Sequence, residues 1–304
     1  MRKSVQKHFL TALVILTSIN CYSQEMMDLS KFSMLPNTKS LKLYGKIKSE
    51  KEFTCTNDDS TLFPNKTCAN ERFYEFDALQ RVTSIIFPDK DSMAYSYFNG
   101  TVEGARYDSK RNQSSRHIYT LNKSGLIDSE IIFNSGHQKK TINNYDTRSR
   151  LIKSTEYSYE NKMVSILKIE YDEFDNPTKI TVADSKGQIF SEFASTYNKK
   201  KLEQLTALLG NNKTYYSFTY DDKENIKKKD IYNANKLLIG MTSEKYDKFG
   251  NVIETIATYK SSTGGETSIS SKTTYTYDRF NNWIKMVMKS NISLTVKYRT
   301  IEYY

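Results

Sequence analysis

An aromatic residue followed by Asp recurs along this chain, and that repeat limits its folding more than any other feature. The pairs are Phe76-Asp77, Tyr145-Asp146, Tyr171-Asp172, Tyr220-Asp221, Tyr246-Asp247 and Tyr277-Asp278. Weaker copies stand at Phe98-Asn99, Leu121-Asn122 and Tyr197-Asn198. Successive second positions are 22 to 31 residues apart, and the longest step spans Ser261-Ser262-Thr263-Gly264-Gly265, which reads as an expanded loop. A period of this size belongs to one supersecondary unit stacked on its neighbours. A mostly apolar slot lies 5 residues after the Asp or Asn, at Val82, Ile127, Leu151, Ile226, Val252 and Trp283. Pro177 interrupts that slot once, and Leu202 occupies it one place early.

Local chemistry turns the repeat into a hairpin. Before each pair the chain alternates, as in Thr274-Tyr275-Thr276-Tyr277 and Glu156-Tyr157-Ser158-Tyr159. This period of two, in β-branched and aromatic residues, marks a half-buried strand. The Asp or Asn then heads a turn, its short side chain accepting a backbone N–H two residues on. Gly250-Asn251, Asn281-Asn282 and Ser124-Gly125 supply residues that tolerate positive φ near the turn's end. A second strand follows, as in Val252–Tyr259. The expectation is an all-β, antiparallel β-hairpin repeat array over residues 71–304, a meander in a curled or spiralling sheet. Leu202, Leu205, Leu208 and Leu209 also have helical spacing, but the repeat phase runs through them and favours a strand.

The N-terminus reads as a targeting segment. Arg2, Lys3 and Lys7 precede an apolar run from Phe9 to Leu16, too short to span a bilayer, and then a small polar stretch. Residues 1–23 are therefore expected to be a signal peptide cut after Ser23, leaving Gln24 first, with no transmembrane segment after cleavage. The rival reading, lipidation of Cys21, is disfavoured by Asn20, where a small Gly or Ala is expected. Export leaves Cys55 and Cys68, 13 residues apart, as an even pair in an oxidising compartment. A disulfide there staples an N-terminal segment, 24–70. A redox-active pair would favour Cys-x-x-Cys spacing.

Tyr277-Asp278-Arg279-Phe280-Asn281-Asn282-Trp283 and Tyr246-Asp247-Lys248-Phe249-Gly250-Asn251-Val252 resemble the YD repeat of RHS (rearrangement hot spot) and teneurin-type proteins. More narrowly, the chain is similar to short exported YD-repeat proteins of Bacteroidetes, which tend to end in an aromatic strand like Arg299–Tyr304. The resemblance implies a spiralling or curled all-β hairpin sheet, which in full-length RHS proteins encloses a toxin or cargo. This chain is far shorter, its period is longer, and it shows no C-terminal toxin module.

Candidate functional residues divide between architecture and recognition. Equivalent acids along a sheet do not make an active site, which needs carboxyls in distinct environments. Asp77, Asp146, Asp172, Asp221, Asp247 and Asp278 are thus expected to be turn heads. No nucleophile signature flanks His117 or His137, and with 3 His and 3 Cys there is little basis for metal or His-based catalysis. No cofactor is expected. Tyr at alternating positions forms a ladder that either stabilises the sheet or offers a ligand face. The candidates for that face are Tyr157, Tyr159, Tyr275, Tyr277 and Trp283, the last also fitting a core slot.

The formal net charge is +10 and the mean hydropathy −0.66. Lys199-Lys200-Lys201 and Lys227-Lys228-Lys229 fit exposed strand edges or acidic envelope polymers. No recognition fold points to nucleic acid. An outer-membrane barrel is disfavoured because many strands alternate Tyr with Thr, Ser or Lys instead of presenting an apolar face. The function expected is a non-enzymatic structural or binding component in the periplasm, at the cell surface or outside the cell, its partner an envelope glycan or protein. A polymorphic-toxin or adhesion component is the alternative, and a carbohydrate hydrolase comes third.

Overall fold

The computed structural model describes Leu41, residues 43–57, 68–261, 264–291 and 293–304. The expected signal peptide, its cleavage site, Cys21 and most of segment 24–70 lie outside the described residues. Among the described residues there are 20 strands and no helix. They are β1 (Ile47–Asn57), β2 (Cys68–Phe76), β3 (Val82–Ile86), β4 (Ser92–Phe98) and β5 (Thr101–Tyr107). Next come β6 (Gln113–Leu121), β7 (Ile127–Asn134), β8 (His137–Tyr145), β9 (Leu151–Tyr157) and β10 (Met163–Tyr171). Then follow β11 (Pro177–Asp184), β12 (Ile189–Asn198), β13 (Lys201–Leu209), β14 (Asn212–Tyr220) and β15 (Ile226–Tyr232). The last are β16 (Leu238–Tyr246), β17 (Val252–Lys260), β18 (Glu266–Tyr277), β19 (Trp283–Ser290) and β20 (Leu294–Tyr303).

Each strand pairs antiparallel with the next, and β20 returns to pair with β1 through Glu50↔Ile301, Glu52↔Arg299 and Thr54↔Lys297. The expected curled or spiralling sheet is therefore a closed barrel. The correction has a physical reason: β1, drawn from the segment set apart as 24–70, supplies the partner that β20 would otherwise lack. Closure removes both unpaired edges. The leucine-rich stretch 201–209 is a strand, β13.

All nine repeat turns lie at one rim, because each follows an even-numbered strand. Seven of them share one geometry; at Asn99 and Asn198 the strands are joined more tightly, with Phe98 paired to Thr101 and Asn198 to Lys201. In the Asp221 turn the Lys223 and Asn225 N–H groups donate to Asp221 Oδ1 at 2.9 and 2.8 Å. The Asp221 N–H donates to Asn225 O, and the Glu224 N–H to Asp221 O. Positive φ falls directly after Asn99 and Asn198, at Gly100 and Lys199, whereas in the seven the third residue after the Asp or Asn takes it, as at Glu224 (68°), Asn281 (66°) and Gly250 (81°). This is a type I turn closed by a left-handed residue and a bulge.

Hairpins pair fully within themselves but part from their neighbours near this rim. The β7–β8 ladder ends at Ser129↔Ile142, β9–β10 at Lys153↔Lys168, β13–β14 at Gln204↔Ser217 and β15–β16 at Lys228↔Ser243. Beyond those points the repeat tyrosine bridges the gap. Its hydroxyl donates to the carbonyl of the apolar slot in the preceding hairpin: Tyr145 to Ile127, Tyr171 to Leu151, Tyr220 to Leu202 and Tyr246 to Ile226, at 2.6 to 2.9 Å. Tyrosine, turn acid and slot thus form one device. Their side chains face inward, with Leu151, Ile169, Ile180, Phe193, Leu202, Leu205 and Phe218 in the largest buried cluster.

The outward face carries charged pairs. Arg116 meets Glu103 at 2.7 Å, Lys179 meets Glu192 at 3.2 Å, and Lys245 meets Glu254 at 3.2 Å, each across neighbouring strands. A cation at a bilayer midplane costs about 2–4 kcal/mol.

Candidate functional site: a gap in the barrel wall

At the joint between β17 and β18 the tyrosine bridge is displaced. The β17–β18 ladder stops at Glu254↔Lys272, leaving Thr273–Tyr277 of the long strand β18 paired only with β19. The pair tyrosine, Tyr277, does not reach the slot carbonyl. Its hydroxyl donates to Asp247 Oδ2, and Asn251 Nδ2 donates to the same hydroxyl at 2.6 Å. Tyr275 takes over the bridge to Val252 O at 3.2 Å. A cavity of about 730 Å³ opens here, lined by Phe249, Glu254, Lys272, Tyr275, Tyr277 and Asn281 among others. Its lining mixes inward-facing Tyr275 and Tyr277 with outward-facing Glu254 and Lys272, so it cuts into the wall between hairpins.

The aromatic rings are set at an angle to one another. Phe249 and Tyr277 have centroids 4.5 Å apart at 51°, and Tyr275 lies 6.0 Å from Tyr277 and 6.3 Å from Trp283. The Arg299 guanidinium stacks 3.6 Å from the Trp283 ring centre. Burial and the bond to Asp247 push the Tyr277 hydroxyl well above its usual range, so it stays a donor. Partial burial pulls Asp247 upward, yet bonds from Tyr277, Asn251 and Phe249 outweigh it and hold the carboxyl below the usual range.

The structure brings together Tyr275, Tyr277 and Trp283 from the candidate ligand face and leaves Tyr157 and Tyr159 elsewhere. Tyr157 pairs with Lys140 and Met163 near the opposite rim. Tyr159 is 51% exposed in the β9–β10 turn and packs against His137 at 4.8 Å. The six Asp residues all head turns. Asp77, Asp146, Asp172 and Asp278 accept the same two backbone N–H groups as Asp221, at 2.8 to 3.0 Å. Cys55, which is buried, and Cys68 are register partners in β1 and β2.

Two groupings were missed from sequence. On the inward face, Ser115 Oγ lies 3.0 Å from His117 Nε2, and His117 Nδ1 lies 3.0 Å from Glu130 Oε1. The available signal was the i, i+2 spacing of Ser115 and His117 in an alternating strand, which puts both on one face. The second grouping is at the closing seam. Arg299 Nε lies 3.1 Å from Glu50 and 3.0 Å from Glu52, and desolvation outweighs Arg299 in pushing the Glu50 carboxyl up to about 7. Among the described residues no cluster of His, Cys, Asp and Glu could hold a metal ion.

No family model matches the chain, and no curated protein is similar to it. Among solved structures it is similar to a porin-like protein from Bacteroides uniformis, with 11% identity over 88% of this chain and 100% of that one, TM-score 0.41. A porin-like protein from Bacteroides vulgatus matches at 8% identity over 83% and 97%, TM-score 0.30. TcdB2–TccC3 without its hypervariable C-terminal region matches at 13% identity over 75% of this chain but 15% of its own length, TM-score 0.28.

Proposed function

We propose that this chain is an exported β-barrel that binds a glycan at the gap between β17 and β18. The observation that carries the reading is the break in the tyrosine bridge, which exposes the Phe249, Tyr275 and Tyr277 rings beside Glu254, Lys272 and Asn281. Angled aromatic faces bordered by a few polar groups suit sugar rings, whose faces are apolar and whose edges are hydroxyls. The cavity binds without cleaving, because Asp247 is committed to its turn and to Tyr277. Export by a signal peptide cut after Ser23, membership of the YD-repeat family and a Cys55–Cys68 disulfide belong to the same proposal. Opposed residues of an antiparallel pair have Cα atoms about 4.5–5.5 Å apart, within reach of a disulfide. The charged outward face supports a barrel in an aqueous compartment, facing the periplasm or the outside. No nucleic acid is involved.

The single tryptophan reports on the site. The mature chain, residues 24–304, is titrated with soluble chito- and gluco-oligosaccharides while Trp283 emission is followed. A saturable change is expected, with affinity reduced at least about tenfold by Phe249→Ala. Phe249 is 38% exposed in a turn and its ring rests on Tyr277, so its removal should lower the melting temperature only slightly. Absence of any saturable change with the whole panel would overturn the glycan reading. It would leave a role as a protein partner in an adhesion or toxin-delivery system.

A further inference from the structure

We infer that Ser115, His117 and Glu130 form a nucleophile, base and acid array giving the barrel a slow esterase activity on small carboxylic esters. The inference goes beyond glycan binding and stands apart from the β17–β18 gap. It also departs from the expectation that no nucleophile accompanies the histidines.

The array follows from strand geometry. Ser115 and His117 are two apart in β6 and face inward, and Glu130 enters from β7, whose ladder sets Tyr119 opposite Glu130 and His117 opposite Ile132. With the Nδ1 hydrogen donated to Glu130 at 3.0 Å, Nε2 is left to accept the Ser115 hydroxyl at 3.0 Å. That assignment fixes the tautomer a general base requires. The opposing strand leaves room for the imidazole. Gly104 is the register partner of His117, and a Cβ there would stand 2.8 Å from Met93 Cε, 3.4 Å from Tyr95 and 3.5 Å from His117 Cβ. Ser115 is the third residue of β6, near the rim opposite the repeat turns, and it is 9% exposed, which restricts the acyl group to a small one.

The chemistry balances within the protein. As Ser115 Oγ bonds to the ester carbonyl carbon, its proton moves to His117 Nε2 and the carbonyl electron pair moves onto oxygen. Collapse of that adduct breaks the bond to the alkoxy oxygen, which takes the Nε2 proton and leaves as the alcohol. Water repeats the sequence on the acyl-serine, releasing the carboxylic acid and restoring the hydroxyl. Glu130 stabilises the imidazolium at Nδ1 in both halves. Arg106, the register partner of Ser115, is held by Asp91 at 3.0 Å, so the array works without a dedicated oxyanion donor. Losing an amide oxyanion hole costs about 10²–10³-fold in rate, which is why the activity is slow.

The test uses the mature full chain, a fluorophosphonate probe and p-nitrophenyl acetate. One equivalent of probe should attach to Ser115, located by tandem mass spectrometry, and p-nitrophenol should appear in a burst followed by slow turnover. Ser115→Ala should abolish both. His117→Gln should slow labelling by about 10²-fold or more, with melting curves showing the variant folded. A wild-type chain with no label on Ser115, or label acquired equally fast by His117→Gln, overturns the inference and leaves a structural polar network. Trp283 titration of Ser115→Ala separates the two sites, since glycan binding should survive there.

Discussion

Glu50 should make the barrel less stable as pH rises from acid to neutral, the reverse of the turn acids. It is 3% exposed at the β20–β1 seam, opposite Tyr74 on one side and Ile301 on the other. Desolvation is the largest influence, opposed by Arg299 and Arg72 and reinforced by Glu52, and the carboxyl moves from 4.5 to about 7. The folded chain therefore holds this proton more tightly than the unfolded one. The stability from neutral Glu50 is complete below pH 4.5 and is lost as pH passes about 7. At about 1.4 kcal/mol per pH unit, the loss is on the order of 3 kcal/mol. Glu244, raised by its own burial, contributes in the same direction. The clean quantity is therefore the difference between wild type and Glu50→Gln, which keeps volume and an acceptor for Arg299. Urea unfolding at pH 5, 6, 7 and 8 should show Glu50→Gln gaining on the wild type by on the order of 3 kcal/mol across that range. A difference that stays constant with pH would refute the reasoning.

Other outcomes follow from the turns and the staple. Asp221→Asn should be mild, because the amide oxygen can accept the same two N–H groups, while Asp221→Ala should cost about 0.5–1.5 kcal/mol in chemical denaturation. Glu224 holds φ 68°, so Glu224→Gly should raise stability by roughly 0.5–1 kcal/mol, whereas Gly250→Ala, at 81°, should lower it. Cys55→Ser should lower stability by about 2–5 kcal/mol with unchanged β-sheet circular dichroism, and thiol titration of the denatured, unreduced chain should find no free sulfhydryl.

The repeat carried the hairpins into view because Asp, positive-φ residue and alternation all act within a few residues of sequence. Two of its weak copies have structural reasons. At Phe98-Asn99 the pair residue lacks a hydroxyl, and Tyr97, one place earlier, bonds Val82 O at 2.7 Å instead. At Leu121 no bridge is needed, since its N–H pairs with Gly100 O at 2.9 Å and the strands stay together. Turns at the other rim were harder to read. Tyr107-Asp108 and Tyr232-Asn233 are aromatic pairs out of phase with the repeat, yet Asp108 and Asn233 head turns of the same geometry. Closure was out of reach because the Glu52↔Arg299 pairing spans most of the chain, and a strand pattern names no partner. The gap at β17–β18 was partly legible, with Tyr275, Tyr277 and Trp283 singled out. Phe249, Glu254 and Lys272 came in only through the early end of one ladder.

Barrel closure is the claim on which the lumenal sites and the Glu50 seam all depend, and residue-resolved hydrogen exchange of β20 tests it directly. In the closed barrel, alternate amides of Leu294–Tyr303 donate toward β19 and toward β1, so consecutive amides at the centre of the strand should be protected alike. In an open or spiralling sheet, β20 is an edge. Its protection would then alternate, with every second amide exchanging at near the rate of an unstructured chain, and that pattern would contradict the account.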